Sequence, residues 1–184
     1  MKLSLVDRRG PDVPETAWRP DAAVVTGLEV LLAAVGLPGW RAVLVLVDDE
    51  EMAALNHRYR GAAEPTDVLS FSYLEQDGAG RADLTAGRRH AARDLWCDRD
   101  GDAGPEDCEV GEIVLAPAFV AQRCAARGWD LEAEWALLVV HGALHLLGWE
   151  HRSIDERRAM RAVEAQLLAR RGIGHPLRDE PTED

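Results

Sequence analysis

The chain carries a single lysine, Lys2, among 184 residues, and its 21 basic side chains are outnumbered by 33 acidic ones. A net charge of −12 argues against a generic basic nucleic-acid binder, because neutralising a run of phosphates takes a cationic face. It leaves room for a local one. Residues 74–109 account for −5 of that charge and residues 175–184 for −3, so the rest of the chain carries only −4. Apart from Lys2 its basic residues are arginines, whose planar fork suits bidentate contacts to phosphate. Cysteine is also scarce. Cys97, Cys108 and Cys124 form no C-x-x-C pair and are odd in number, which speaks against a disulfide framework and for a reducing compartment. No apolar run approaches membrane-spanning length, and the stretch from Met1 to Arg9 is too briefly apolar for a secretory signal. The expectation is a cytoplasmic protein with no membrane partner. No internal repeat is evident.

What is present is the composition of a globular domain, with 47% hydrophobic and 29% charged residues in a length that suits one core. Lys2 to Val6 alternate as a half-buried strand does. Asp21 can cap a helix over 22–35 that Gly36 and Pro38 stop. Residues 42–47 are a continuous β-type apolar run, which predicts a central strand covered on both faces. Asp48 and Glu51 have capping-box spacing for a helix to about Tyr59. Val68–Phe71 and Glu109–Ala116 read as further strands. The acidic stretch between them predicts a partly disordered insert, with a short helix around Gly87–Leu95 as the alternative. Three helices follow: Pro117–Arg127 ended by Gly128, residues 131–147 capped by Asp130 and ended by Gly148, and a last one from the Ser153/Glu156 box to about Arg171. This order implies an α+β fold: one domain over 1–174, a small mixed four-stranded sheet, about five helices, and a flexible acidic tail over 175–184.

The chemistry concentrates in His141-Gly-Ala-Leu-His145-Leu-Leu-Gly148-Trp-Glu-His151. Histidines four apart share one face of a helix, and Gly148 can take the left-handed conformation that turns His151 back toward them. A pair at this spacing often merely decorates a helix. A third histidine just past a glycine break predicts a zinc site with His141, His145 and His151 as ligands. Three neutral ligands leave a fourth position open, as in catalytic zinc sites. His57, His90 and His175 lack such partners and are assigned to solvent or ordinary hydrogen bonding. The spacing also fits H-E-x-x-H-x-x-G-x-x-H metallopeptidases, but Gly142 stands where their general base would be, which disfavours a zinc peptidase or amidase.

These residues also carry a resemblance. The segment His141–Gly148 matches the signature H-G-x-L-H-L-x-G-[aromatic]-D-H of the YbeY family of bacterial endoribonucleases. A second block of that family is similar to Asn56–Gly61 followed by Pro65-Thr66-Asp67-Val68-Leu69-Ser70-Phe71. A third is similar to Gly111-Glu112-Ile113-Val114, and Glu156, Met160 and Glu164 fit its last helix. The resemblance covers about residues 40–172, interrupted by the insert, whose role it does not supply. It implies a single-strand-specific, metal-dependent endoribonuclease acting in 3′-end maturation of 16S ribosomal RNA and in ribosome quality control. The partners so implied are single-stranded and ribosomal RNA with ribosomal particles or ribosome-associated proteins. The resemblance carries the three histidines over as metal ligands and Arg60 as the catalytic basic residue beside them. A guanidinium there can hold a phosphodiester and stabilise its developing charge. A non-catalytic, zinc-stabilised ribosome assembly factor is the other reading, disfavoured because structural zinc sites usually have four protein ligands.

Two departures stand within the signature. Glu150 replaces the usual aspartate, and Trp149 replaces a residue that is usually tyrosine, with packing a better reading of it than base stacking. In the insert, Asp98, Asp100, Asp102 and Glu109 have calcium-loop spacing, but Ala103 occupies the position that needs glycine, so a solvated acidic loop is expected. Cys124, on an alanine-rich helix, reads as a small buried packing residue and not a nucleophile.

Overall fold

The structure, a computed structural model, describes residues 1–10, 19–20, 22–33, 40–73 and 108–175. The Asp21 cap, the Gly36/Pro38 stop, the helix considered around Gly87–Leu95, His90, Cys97, most of the calcium-like loop and the tail from 176 onward lie outside these residues.

Strand β1 (Lys2–Asp7) leads through helix α1 (Ala22–Leu32) into β2 (Trp40–Leu46), and α2 (Asp49–Arg60) leads to β3 (Val68–Ser72). Then come β4 (Cys108–Leu115) and helices α3 (Pro117–Arg127), α4 (Leu131–Leu146) and α5 (Ile154–Ala169). The four strands form one mixed sheet in the order β1-β2-β4-β3, parallel except where β3 runs antiparallel to β4. The α+β architecture expected from the order of elements is what forms.

β2 is interior, and its residues alternate between two cores. Ala42, Leu44 and Leu46 face one that includes α1, α4 and α5, while Val45 and Val47 face a smaller one with Met52 of α2. Helix α4 lies deepest: Trp135 through Val140 and then Gly142, Ala143, Leu144 and Leu146 are all buried, as expected of a helix apolar around its whole circumference. The sheet accommodates it closely. At β4 the register with β2 slips by one residue, and Gly111 adopts φ 149 with the Phe71 carbonyl oxygen 2.2 Å from where a β-carbon would lie. Only glycine fits there.

Asp48, Asp130 and Ser153 each cap their helix, but of the two expected capping boxes only that of Ser153 and Glu156 closes reciprocally among the described residues, while Glu51 pairs with Arg8. Asp48 accepts from the Glu51 N–H at 2.8 Å, Asp130 from the Ala133 N–H at 2.7 Å, and Ser153 with Glu156 forms the complete reciprocal box. Helix α1 is described over Ala22–Leu32, and residues 34 and 35 of the expected span lie outside the described residues.

Candidate metal centre and its cavity

His141 and His145 project from one face of α4, one helical turn apart. After the helix, Gly148 takes φ 82, so the chain reverses and His151 comes back beside them. The three rings then each offer a nitrogen, all within 4.8 Å of one another, and the Nε2 atoms of His141 and His145 are 3.1 Å apart. Two imidazole nitrogens on a tetrahedral zinc would be separated by about 3.3 Å, given Zn–N bonds near 2.0–2.1 Å. The donor set therefore fits a metal ion of that kind, and the group can hold one.

Electrostatics prepare the ligands. Burial, reinforced by His141 and His151 and opposed by a hydrogen bond to the Trp149 backbone, pushes His145 down to about 4, so its ring is neutral at pH 7 as a ligand must be. His141 Nδ1 lies 2.7 Å from Glu164 Oε1, and the other oxygen of Glu164 lies 3.0 Å from His175 Nε2. Burial opposes ionisation of Glu164, but these two hydrogen bonds outweigh it and hold the carboxyl at about 2. His175, expected at the start of a loose tail, is instead buried at 9% exposure. Its hydrogen bond goes to the same carboxylate that meets His141. Sequence reasoning gave neither residue a place in the site.

The three histidines stand in a cavity of about 440 Å³. Arg60, the last residue of α2, reaches its rim. Gly61 ends that helix at φ 75, and the buried Asn56 ties the following loop through the Glu64 carbonyl at 2.7 Å. The charge of Arg60 reaches His145, where it favours the neutral ring. Arg157 and Arg161, one turn apart on α5, line the same cavity, and among the described residues no carboxylate pairs with either of them or with Arg60. Arg123 is different: its guanidinium is clamped between Asp67 and Glu134. Nearby, Arg127 lies over the Trp129 ring at 4.6 Å. No local signal in the sequence marks Arg157 or Arg161 as site residues, because the helical pattern only assigns them a polar face.

The motif around Asp67 thus has a structural meaning. Asp67 accepts from the Val68 N–H at 2.8 Å as well as from Arg123, and the Ser72 hydroxyl donates to the Leu146 carbonyl at 3.0 Å, so the block pins edge strand β3 against α3 and the end of α4. Trp149 is 6% exposed within the main core, so it packs as expected. Glu150 pairs with Arg152 at 3.5 Å. Cys124 is buried, and burial pushes its thiol up, away from the nucleophilic form.

Gly142 stands where the peptidase-like spacing would put a general base. A β-carbon there would lie 2.8 Å from Ile113 Cγ2 and 3.0 Å from Ser70 Oγ, so any larger side chain at this position meets β4 and β3 at once.

The chain is similar to known proteins over most of its length. The Endoribonuclease YbeY of Mycobacterium ulcerans is 36% identical over 169 residues, covering 91% of this chain and 82% of its own. That of Alkalilimnicola ehrlichii is 35% identical over 167 residues, covering 88% and 86%, and that of Salinispora tropica 40% over 126 residues, covering 68% and 71%. The solution structure of TM1509 from Thermotoga maritima aligns at 19% identity with a TM-score of 0.47, over 98% of this chain and 100% of that one. The family described as Endoribonuclease YbeY matches residues 24–172, a span that includes His141, His145, His151 and Arg60, and the chain belongs to that family.

Proposed function

We propose that this protein is a zinc-dependent endoribonuclease that cuts single-stranded RNA, with the 3′ end of 16S ribosomal RNA as its natural target, in the cytoplasm and in association with ribosomal particles. The observation that carries the RNA reading is that three guanidinium groups without a carboxylate partner among the described residues, Arg60, Arg157 and Arg161, line one cavity with the three histidines in a chain of net charge −12. Cations are concentrated where the chain as a whole is acidic, which is the arrangement a phosphodiester substrate needs. Family membership supports the ribosomal target, and a donor set of three imidazoles supports zinc over harder cations. No helix among the described residues is long and apolar enough to cross a membrane.

The roles divide among the chain's own residues. When bound, zinc supplies Lewis acidity at the cavity floor. His141, His145 and His151 hold it. Arg60 engages the non-bridging oxygens of the scissile phosphate and offsets the charge that grows there in the transition state. Arg157 and Arg161 bind phosphates alongside and keep the strand in register. The cavity acids do not repel the substrate strongly, because Asp67 and Glu134 share Arg123 and Glu164 is bonded to two imidazoles.

The test offers purified, metal-analysed protein a single-stranded RNA and casein side by side. Cutting of RNA alone, lost in His141→Ala together with zinc, is the expected result. Full cleavage by protein stripped of metal overturns the proposal. Binding to ribosomes with RNA left intact favours the assembly-factor reading.

A further inference from the structure

The ordered polar groups of the metal centre extend two residues beyond its ligands. Glu164 stands on α5 with its side chain 4% exposed, and each of its oxygens faces one imidazole: Oε1 faces His141 Nδ1 at 2.7 Å, and Oε2 faces His175 Nε2 at 3.0 Å. A carboxylate only accepts, so the ring nitrogens facing it carry the protons. His141 is then protonated on Nδ1 and keeps its lone pair on Nε2, the atom 3.1 Å from His145 Nε2.

His175 arrives there by a chain reversal that α5 itself sets up. Gly172 takes φ 70, its N–H bonds the Ala169 carbonyl at 3.0 Å, and Ile173 bonds back to Leu168 at 3.2 Å while packing on the main core. This glycine-capped helix end aims the next residues back along the helix. The ring of His175 finishes buried beside Glu164, one turn into the helix from Leu168. The family match ends at residue 172, so no role for His175 comes with it.

We infer that His175 is a positioning residue for the metal centre: it fixes the Glu164 carboxylate, which in turn fixes the His141 ring with Nε2 presented to the cavity. Without His175, Glu164 Oε2 loses its hydrogen bond to Nε2 while still buried, and a carboxylate left with one bond in place of two among the described residues is free to rotate away from His141. Partners of this kind around metal ligands set affinity by 10–100-fold. The inference rests on the metal reading of the three histidines and is independent of RNA cleavage.

Two measurements on the full chain test it. Zinc affinity is read by competition against a chromogenic chelator for wild type, His175→Ala and His175→Gln. The protonated nitrogen of His141 is read by long-range nitrogen–proton NMR of the metal-free wild type. The expected results are protonation of His141 on Nδ1, a loss of about ten-fold or more in zinc affinity for His175→Ala, and substantial recovery in His175→Gln, whose amide N–H can still donate to Glu164. Wild-type affinity in His175→Ala, no recovery in His175→Gln, or protonation of His141 on Nε2 each overturns the inference. The NMR result and the glutamine variant keep it open to refutation even if the alanine variant does not fold. A wild type that binds no zinc overturns the metal reading itself, whereas zinc binding without RNA cleavage overturns only the nuclease proposal.

Discussion

Gly142 of α4 packs on Ile113 of β4 so closely that an added β-carbon would lie 2.8 Å from Ile113 Cγ2. This contact seats the helix of His141 and His145 on the sheet, and it sets against each other two effects of replacing the glycine. Alanine in a helix interior is worth about 1 kcal/mol over glycine, but overpacking a filled core costs about 1–3 kcal/mol. The second effect prevails because two of the three nearest atoms belong to the β-branched side chain of the fully buried Ile113. The net cost of about 1 kcal/mol predicts that Gly142→Ala melts about 2–4 °C lower than wild type, as read by calorimetry. Gly142→Glu is expected to gain no peptidase activity on casein, since its carboxylate would be driven into the sheet. Cleavage of casein by that variant would show that position 142 reaches the metal centre after all.

Arg60 and His145 separate binding of the metal from use of the substrate. His145→Ala removes a ligand whose neutral state the fold secures, so both zinc content and RNA cleavage are expected to vanish together. Arg60→Ala removes a rim cation and no ligand. It is expected to keep stoichiometric zinc while kcat falls about 10²–10³-fold, the usual cost of losing one donor to transition-state charge. Single-turnover assays beside metal analysis check this, and an Arg60→Ala enzyme with normal kcat would remove the residue from the catalytic machinery.

The histidine cluster was legible because every step in it is local. A period of 3.6 residues aligns His141 with His145, and a glycine at φ 82 explains the return of His151. The strands were legible for a similar reason: β2 alternates between two cores, so it reads as an apolar run. Glu164 and His175 were not legible in that way. Their partners are 23 and 11 residues distant and meet only after α4 and α5 pack and the chain reverses at Gly172. Periodicity identifies a buried face but not what that face meets. It therefore assigned His175 to an ordinary role at a loose end, and could not distinguish the cavity-facing Arg157 and Arg161 from the other polar residues of α5. The Arg123 clamp spans 56 residues to Asp67 and was invisible for the same reason.

Asp67 makes a pH-dependent contribution to stability. Burial alone would raise its carboxyl, but Arg123, Thr66 and the Val68 N–H together hold it below its ordinary value of 3.8. A carboxyl depressed in the folded state stabilises the fold fully above its unfolded value, and the contribution is lost as pH falls through the folded one. Asp67→Asn is therefore expected to be less stable than wild type at pH 7 by about 2 kcal/mol, the scale of a hydrogen bond to a charged group. The gap should narrow as the pH drops below 3.8. Glu134, raised by burial and by the charge of Asp67 against the pull of Arg123, acts in the opposite sense in the wild type, and the variant removes the Asp67 part of that effect. Urea denaturation of the pair between pH 3 and pH 7 measures the difference, and a gap that stays constant through acid would mean that Asp67 is not the group responsible.

Arg157 and Arg161 lie one turn apart on α5, lining the cavity floored by the histidines, and no carboxylate among the described residues neutralises them. If each holds one phosphate of a single strand, each releases condensed counterions on binding, and the logarithm of affinity falls with the logarithm of salt by about 0.7 per contact. Replacing both by glutamine is expected to weaken binding of a short single-stranded RNA at low salt and to reduce the salt slope by about 1.4. Zinc content and melting temperature should be unchanged, because neither guanidinium touches a ligand or is part of a salt bridge among the described residues. Fluorescence anisotropy over a salt series reads the slope directly. A double variant that binds more weakly but keeps the wild-type slope would mean that these arginines shape the cavity without contacting phosphate, and Arg60 alone would then have to supply the charge for the substrate.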